Sequence, residues 1–199
     1  MSVSNLKERQ RQLREEVIID TAYAMLGEVG YDAMSMDDLA ARVGVSKATL
    51  YQHFNTKEEV AINVICRSLR IAIDDVRSQA DQNEPAIQRL ERCLITSYKR
   101  RLDFGQAGLV LPIMTVKKHP RYVAAMNDLI QLLEEVAEQA RAEGAINPAL
   151  NTCVIVRMAL AMMRTDMEDM LTCTARNRDA LLETLTTVFM NGIKPQKGP

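Results

Sequence analysis

Between residues 47 and 53 the chain sets Lys47, Ala48, Thr49, Tyr51, Gln52 and His53 on the outward side of one short helix. They offer hydrogen-bond donors, acceptors and an aromatic ring, with no acid among them. Such a face suits a groove lined by phosphates and base edges. Covalent chemistry finds no comparable set. The two histidines, His53 and His119, lie in unrelated segments, and HExxH, GxSxG, a phosphate-binding glycine loop and a dinucleotide fingerprint are all missing. Glu134-Glu135 and Asp37-Asp38 are adjacent in helices, point different ways, and read as solvated faces or caps. Cys66, Cys93, Cys153 and Cys173 are far apart, with no CxxC and no histidine at ligand spacing, so neither a zinc site nor a disulfide framework is expected. They read as reduced thiols in helices, a redox-sensing thiol being the alternative use. An enzyme, a metal and a cofactor are not expected.

Two helices and a turn must hold that face outward. In Ser35–Phe54, SMDDLAARVGVSKATLYQHF, a small residue at the helix crossing, a flexible one in the turn and an apolar shared core are supplied by Ala40, by Gly44 and by Leu39, Val43, Val45 and Leu50. Ser35 caps the first of the two helices and Ser46 the second. Before them, a helix over Leu6–Val29 places Leu13, Val17, Thr21, Met25 and Val29 on one face with Ile18 and Ala22 beside, and Gly30 ends it. After them, the capping box Thr56-Lys57-Glu58-Glu59 opens a helix to about Ala80, facing inward with Val60, Val64, Ile65, Leu69, Ile73 and Val76. An ordinary helical hairpin would use the same turn. The coincidence of all these positions with a basic arm, Lys7, Arg9, Arg11 and Arg14, favours nucleic acid.

The rest of the chain also has the apolar periodicity of helices and lacks alternating strand patterns. Ile87, Leu90, Leu94, Tyr98 and Leu102 form one stripe behind Pro85. The region 105–120 reads as a short bent helix plus loop. Val123, Met126, Ile130, Leu133, Ala137 and Ala140 form another stripe, closed by Gly144. Asn147-Pro148 starts a helix to about 171, and a last helix covers about 176–191. The fold expected is all-α, with about nine helices: a three-helix helix-turn-helix domain at 1–55 and a helical effector-binding and dimerisation domain at 56–199. The 199 residues are 47% hydrophobic, 26% charged and carry a net charge of −1, so the whole-chain balance announces no polyanionic partner. The first sixty residues hold more acids than bases. No apolar run reaches a bilayer's thickness, since Cys153–Met163 is broken by Arg157, and the N-terminus has no signal-peptide core; a cytoplasmic protein without a membrane partner is expected.

The strings Leu26-Gly27-Glu28-Val29-Gly30-Tyr31, Ser35–Ala40, Gly44–Phe54 and Lys57-Glu58-Glu59 together resemble the tetracycline-repressor (TetR) family, whose signature is close to GVSxxTLYxHFxxKEEL. Val60 stands where that pattern often has Leu. The resemblance covers about sixty residues and is architectural beyond residue 80. It implies that Lys47, Ala48 and Tyr51 approach bases, that Thr49, Gln52, His53 and Lys57 touch phosphates, and that Ser35 and Met36 make phosphate or groove contacts. Met36 departs from the polar residue often found there. Ser46, at the start of the reading helix, joins this set. His53 reads equally as a helix-packing residue.

One short recognition helix spans too few base pairs to select a site, so a two-fold dimer on palindromic double-stranded DNA is expected. The resemblance implies a bundle made by the last two helices of each subunit. Met158 to Met163 and Leu181, Leu182, Leu185, Val188 and Phe189 are apolar enough to serve it. Twelve methionines fill either a core or dimer seam, the better reading, or a pocket for apolar ligands. A pocket for an unidentified small-molecule effector would draw on Tyr98, Leu102, Leu109, Met114, Tyr122, Met126, Met162 and Asp166. The protein expected is a homodimeric repressor released from its operator by a largely apolar effector. The alternatives are a helical protein-interaction module and a thiol-based redox-sensing regulator.

Overall fold

The computed structural model describes residues 3–78, 84–103, 116–163, 165 and 167–195. Among them are nine helices and no strand: α1 (Val3–Ala33), α2 (Met36–Val43), α3 (Lys47–His53), α4 (Lys57–Ser78), α5 (Ala86–Asp103), α6 (Pro120–Ala142), α7 (Thr152–Met162), α8 (Met167–Cys173) and α9 (Arg178–Ile193). The described residues fall into two compact units. One takes residues up to Ser68 and those within 104–123, the other those within 69–103 and from Ala124 on. None of these helices is long and apolar enough to cross a membrane.

The first unit is built on α1. Its buried side chains are Ile18, Ala22, Met25 and Leu26, joined by Met34, Met36, Leu39, Ala40, Leu50, Phe54, Val60 and Val64 in one core. The expected inward face was therefore rotated: Leu13, Val17 and Val29 are each about half exposed. Helical periodicity allows several neighbouring stripes when apolar residues are plentiful, and only α2–α4 select one. Gly30 breaks α1 with φ 79° and ψ 172°, a conformation open to glycine, and one further turn follows before Ala33. A second small cluster joins Ala61, Ile62, Cys66 and Val116, with Tyr31, Ile65 and Tyr122 against it.

The second unit has its own core. Ile73, Val76, Leu90, Leu94, Tyr98 and Leu102 meet Leu129, Leu133, Val136, Ala137 and Ala140 of α6, Ile155, Val156 and Ala159 of α7, and Leu181, Leu182, Leu185, Phe189, Met190 and Ile193 of α9. Three expectations fail here. Of the stripe expected on α6, Leu133, Ala137 and Ala140 are buried, but toward its start Ala125 and Leu129 are buried in place of Val123, Met126 and Ile130, and Val123 is 40% exposed. Asn147 does not open α7: its carboxamide oxygen accepts from Ala149 N at 3.0 Å in a local turn, while Asn151 caps the helix through Val154 N. The single helix expected over 148–171 is two, α7 and α8. Near the break Thr165 Oγ1 donates to Met162 O at 2.6 Å, the local bond by which a threonine competes with helix. α9 runs past Gly192 to Ile193. The bent helix expected over 105–120 lies mostly outside the described residues.

Candidate nucleic-acid interface

Each of the two interface helices is fixed at both ends. Ser35 Oγ accepts from Asp38 N at 3.0 Å and opens α2. Gly44 closes it at φ 79°, ψ 31°, donating to Ala40 O and Ala41 O, and Val45 N donates to Ala40 O as well. An added Cβ on Gly44 would meet nothing within 4 Å, so glycine is required for its backbone alone. Ser46 Oγ then accepts from Thr49 N at 3.1 Å and opens α3. Leu39, Ala40 and Leu50 are buried between the two helices and α1. Arg42 of α2 grips both carboxylate oxygens of Glu28 on α1, with 2.6 Å to Oε1, and this bond holds the Glu28 carboxyl below the usual carboxylate range.

What that frame presents is a face with Ser46, Lys47, Ala48, Tyr51 and Gln52 exposed and Thr49 half-buried. Tyr51 keeps 46% of its surface. One acid does reach this face, from the neighbouring helix: Lys47 Nζ lies 2.5 Å from Asp37 Oδ2, both side chains more than half exposed. Asp37 therefore serves neither as a cap nor as an isolated solvated charge.

The remaining expected contacts sit deeper. Met36 is buried in the core of the first unit, so only its backbone faces outward at the start of α2. Ser35 Oγ is occupied by its cap and by a 2.5 Å bond to Asp38 Oδ2. The His53 side chain is 8% exposed, with Nδ1 3.2 Å from Glu15 Oε1 on α1. Of its two readings, packing is the one this geometry favours. Lys57 Nζ donates to Tyr31 O at 2.7 Å and Asp32 O at 3.2 Å, and lies 4.3 Å from the centre of the Tyr31 ring. It thus caps the end of α1, where free carbonyls attract a cation. No short-range signal could reveal that, because the partners are 25 and 26 residues away.

Residues 18–64, which hold this whole frame, match the family model for bacterial regulatory proteins of the tetR family. Over that segment the chain is similar to the TetR family. Over 148 residues it is 28% identical to the HTH-type transcriptional regulator UidR of Escherichia coli, covering 72% of this chain and 74% of that one. Over 69 residues it is 33% identical to IcaR of Staphylococcus epidermidis, a biofilm-operon negative transcriptional regulator, covering 35% and 37% of the two chains. Its fold is similar to that of FadR from Bacillus subtilis in complex with stearoyl-CoA, at a TM-score of 0.66 and 16% identity over 89% of this chain and 98% of that one.

In the second unit, Tyr98 and Leu102 are buried in one core, and Met162 packs against it. Met126 is half-buried. Tyr122 belongs elsewhere, against the Ala61–Val116 cluster of the first unit, so the expected pocket residues do not all share one core. Leu109, Met114 and Asp166 lie outside the described residues. Tyr98 has no exposed surface and its hydroxyl has no hydrogen-bond partner; burial pushes its pKa up to about 12.

Proposed function

We propose that this protein is a homodimeric repressor of the TetR family that binds a palindromic operator and leaves it when a small, largely apolar effector enters the helical domain. The observation that carries the reading is the α3 face. Lys47, Ala48, Tyr51 and Gln52 stand exposed on a helix whose opposite side is locked into a core by Leu50. A lysine can donate to guanine, a tyrosine and a glutamine can donate or accept, and an alanine can meet a thymine methyl. The Ser46 and Thr49 hydroxyls lie 2.8 Å apart and share one hydrogen bond, which leaves the other hydroxyl hydrogen of the pair for phosphate. Ser35 and Lys57 can contact phosphate only by giving up internal bonds, and Met36 only through its backbone.

Dimerisation is supported by apolar exposure on two helices: Val154 and Met158 of α7 and Val188 of α9 are 53%, 57% and 63% exposed. Large apolar side chains left in water on two helices are candidates for an association surface. The functional division proposed is a reader over 1–55 and an effector and dimer domain over 56–199, joined by α4, whose residues belong to both compact units. The orphan Tyr98 hydroxyl supports an internal ligand, since it offers a donor to an apolar molecule bearing one acceptor. The Bacillus subtilis FadR structure is a complex with stearoyl-CoA, whose acyl chain is apolar. An effector favouring a dimer with differently spaced readers would lower operator affinity by its differential binding energy.

Titration of labelled duplex DNA at several salt concentrations tests this reading. A repressor gives an affinity that falls steeply with salt. A helical interaction module gives no duplex binding at any salt. A redox regulator would instead lose or gain binding on oxidation. Cys93 is an unfavourable sensor, because burial raises its pKa and keeps it a thiol.

A further inference from the structure

Along α1, the residues Lys7, Arg11, Arg14, Ile18, Ala22 and Met25 recur at intervals of four and three, and so share one helix face. From Ile18 onward that face is buried in the core of the first unit. Before it the face turns cationic, with Lys7, Arg11 and Arg14 all exposed. The cationic turns lie beside the end of α3: Lys7, Gln10, Arg11, Arg14, Gln52 and His53 line one open cleft of about 340 Å³. No carboxylate lines it. Glu8, next to Lys7 in sequence, and Glu15, next to Arg14, are both outside the lining, and Glu15 is engaged twice, accepting from Arg11 Nε at 3.0 Å and lying 3.2 Å from His53 Nδ1. Lys7 and Arg14 form no ion pair with the described residues.

Exposed cations on one helix face, with no carboxylate lining the cleft between them, repel one another and attract a polyanion. The polar lining suits no apolar ligand, and the cleft has the size of a small-molecule site, which admits a nucleotide unit more readily than a lone ion. Gln52 belongs to both this cleft and the outward face of α3, so a backbone held here flanks the bases that α3 reads.

We propose that the cleft is a second DNA contact, binding the sugar-phosphate backbone beside the reading helix, with Lys7 and Arg14 as the phosphate ligands and Arg11 oriented by Glu15. The inference rests on the operator-binding reading above. Its test uses the full chain and a Lys7→Gln/Arg14→Gln double variant, titrated with an operator duplex and with an unrelated duplex across about 50 to 200 mM salt. The double variant is expected to bind both duplexes more weakly, on the order of tenfold, and to lower the salt slope by about 2, one per cation removed. Sequence preference and melting temperature stay at wild type. A double variant with wild-type affinity and slope overturns the proposal while leaving the function intact. So does one that loses sequence preference at an unchanged slope. A wild-type chain that binds no duplex overturns both.

Discussion

Lys47 and Asp37 form an ion pair in which both side chains remain more than half exposed. Such a pair contributes only about 0–1 kcal/mol, so its loss leaves the fold nearly untouched, while the carboxylate beside the reading face repels phosphate. Asp37→Asn is therefore expected to tighten duplex binding a few-fold, roughly, and most at low salt. A weaker Asp37→Asn variant would show that the acid serves by holding Lys47 in place. Lys47→Ala and Tyr51→Ala are expected to cost about 1–3 kcal/mol in operator binding and nothing in helicity by circular dichroism. Tyr98 makes the opposite kind of prediction. Its buried, unpartnered hydroxyl carries a desolvation penalty of about 1–3 kcal/mol, so Tyr98→Phe should raise the melting temperature by about 2–4 °C for each kcal/mol recovered and blunt release by the effector. A lowered melting temperature would mean that the hydroxyl is satisfied in the free protein.

At the scale of elements, what was legible in the sequence is what local chemistry determines. α2 and α3 were readable to within a residue, because Ser35, Gly44 and Ser46 each act on groups three or four residues away. Stripes were less readable. α1 and α6 each offer several apolar rows, and the packed neighbour chose one adjacent to that expected from spacing, along α1 and toward the start of α6. The break between α7 and α8 was invisible because its methionines and leucines are good helix formers on either side. Long-range bonds left no trace at all: Lys47–Asp37, Lys57–Tyr31 and His53–Glu15 join segments whose separation no periodicity reports. Gly44 allows a direct check on the turn. Its φ of 79° with empty space around it means that Gly44→Ala costs strain alone, about 1–2 kcal/mol, read as a lower melting temperature and weaker operator binding. The Glu28–Arg42 tie gives a pH dependence. Because the folded carboxyl titrates below its ordinary range, its contribution is complete above that range and disappears as pH falls through the depressed value. A Glu28→Gln variant should lack that part of the acid transition, which urea melts across pH 3 to 6, roughly, would reveal.

For the whole molecule, the claim that matters is that two readers act together. A lone seven-residue helix makes contact with only a few base pairs. Placing charge on the exposed apolar residues, as in Met158→Glu/Val188→Glu, is expected to leave a helical chain that sediments as a monomer and has lost operator binding. Retained dimerisation would move the association surface elsewhere. The sharpest single measurement is selection of binding sites by the wild-type protein from a random duplex pool. A two-fold dimer selects a consensus of two inverted half-sites with centres about one helical turn, or a multiple of it, apart. An enriched motif without two-fold symmetry, or no enrichment at all, would contradict it.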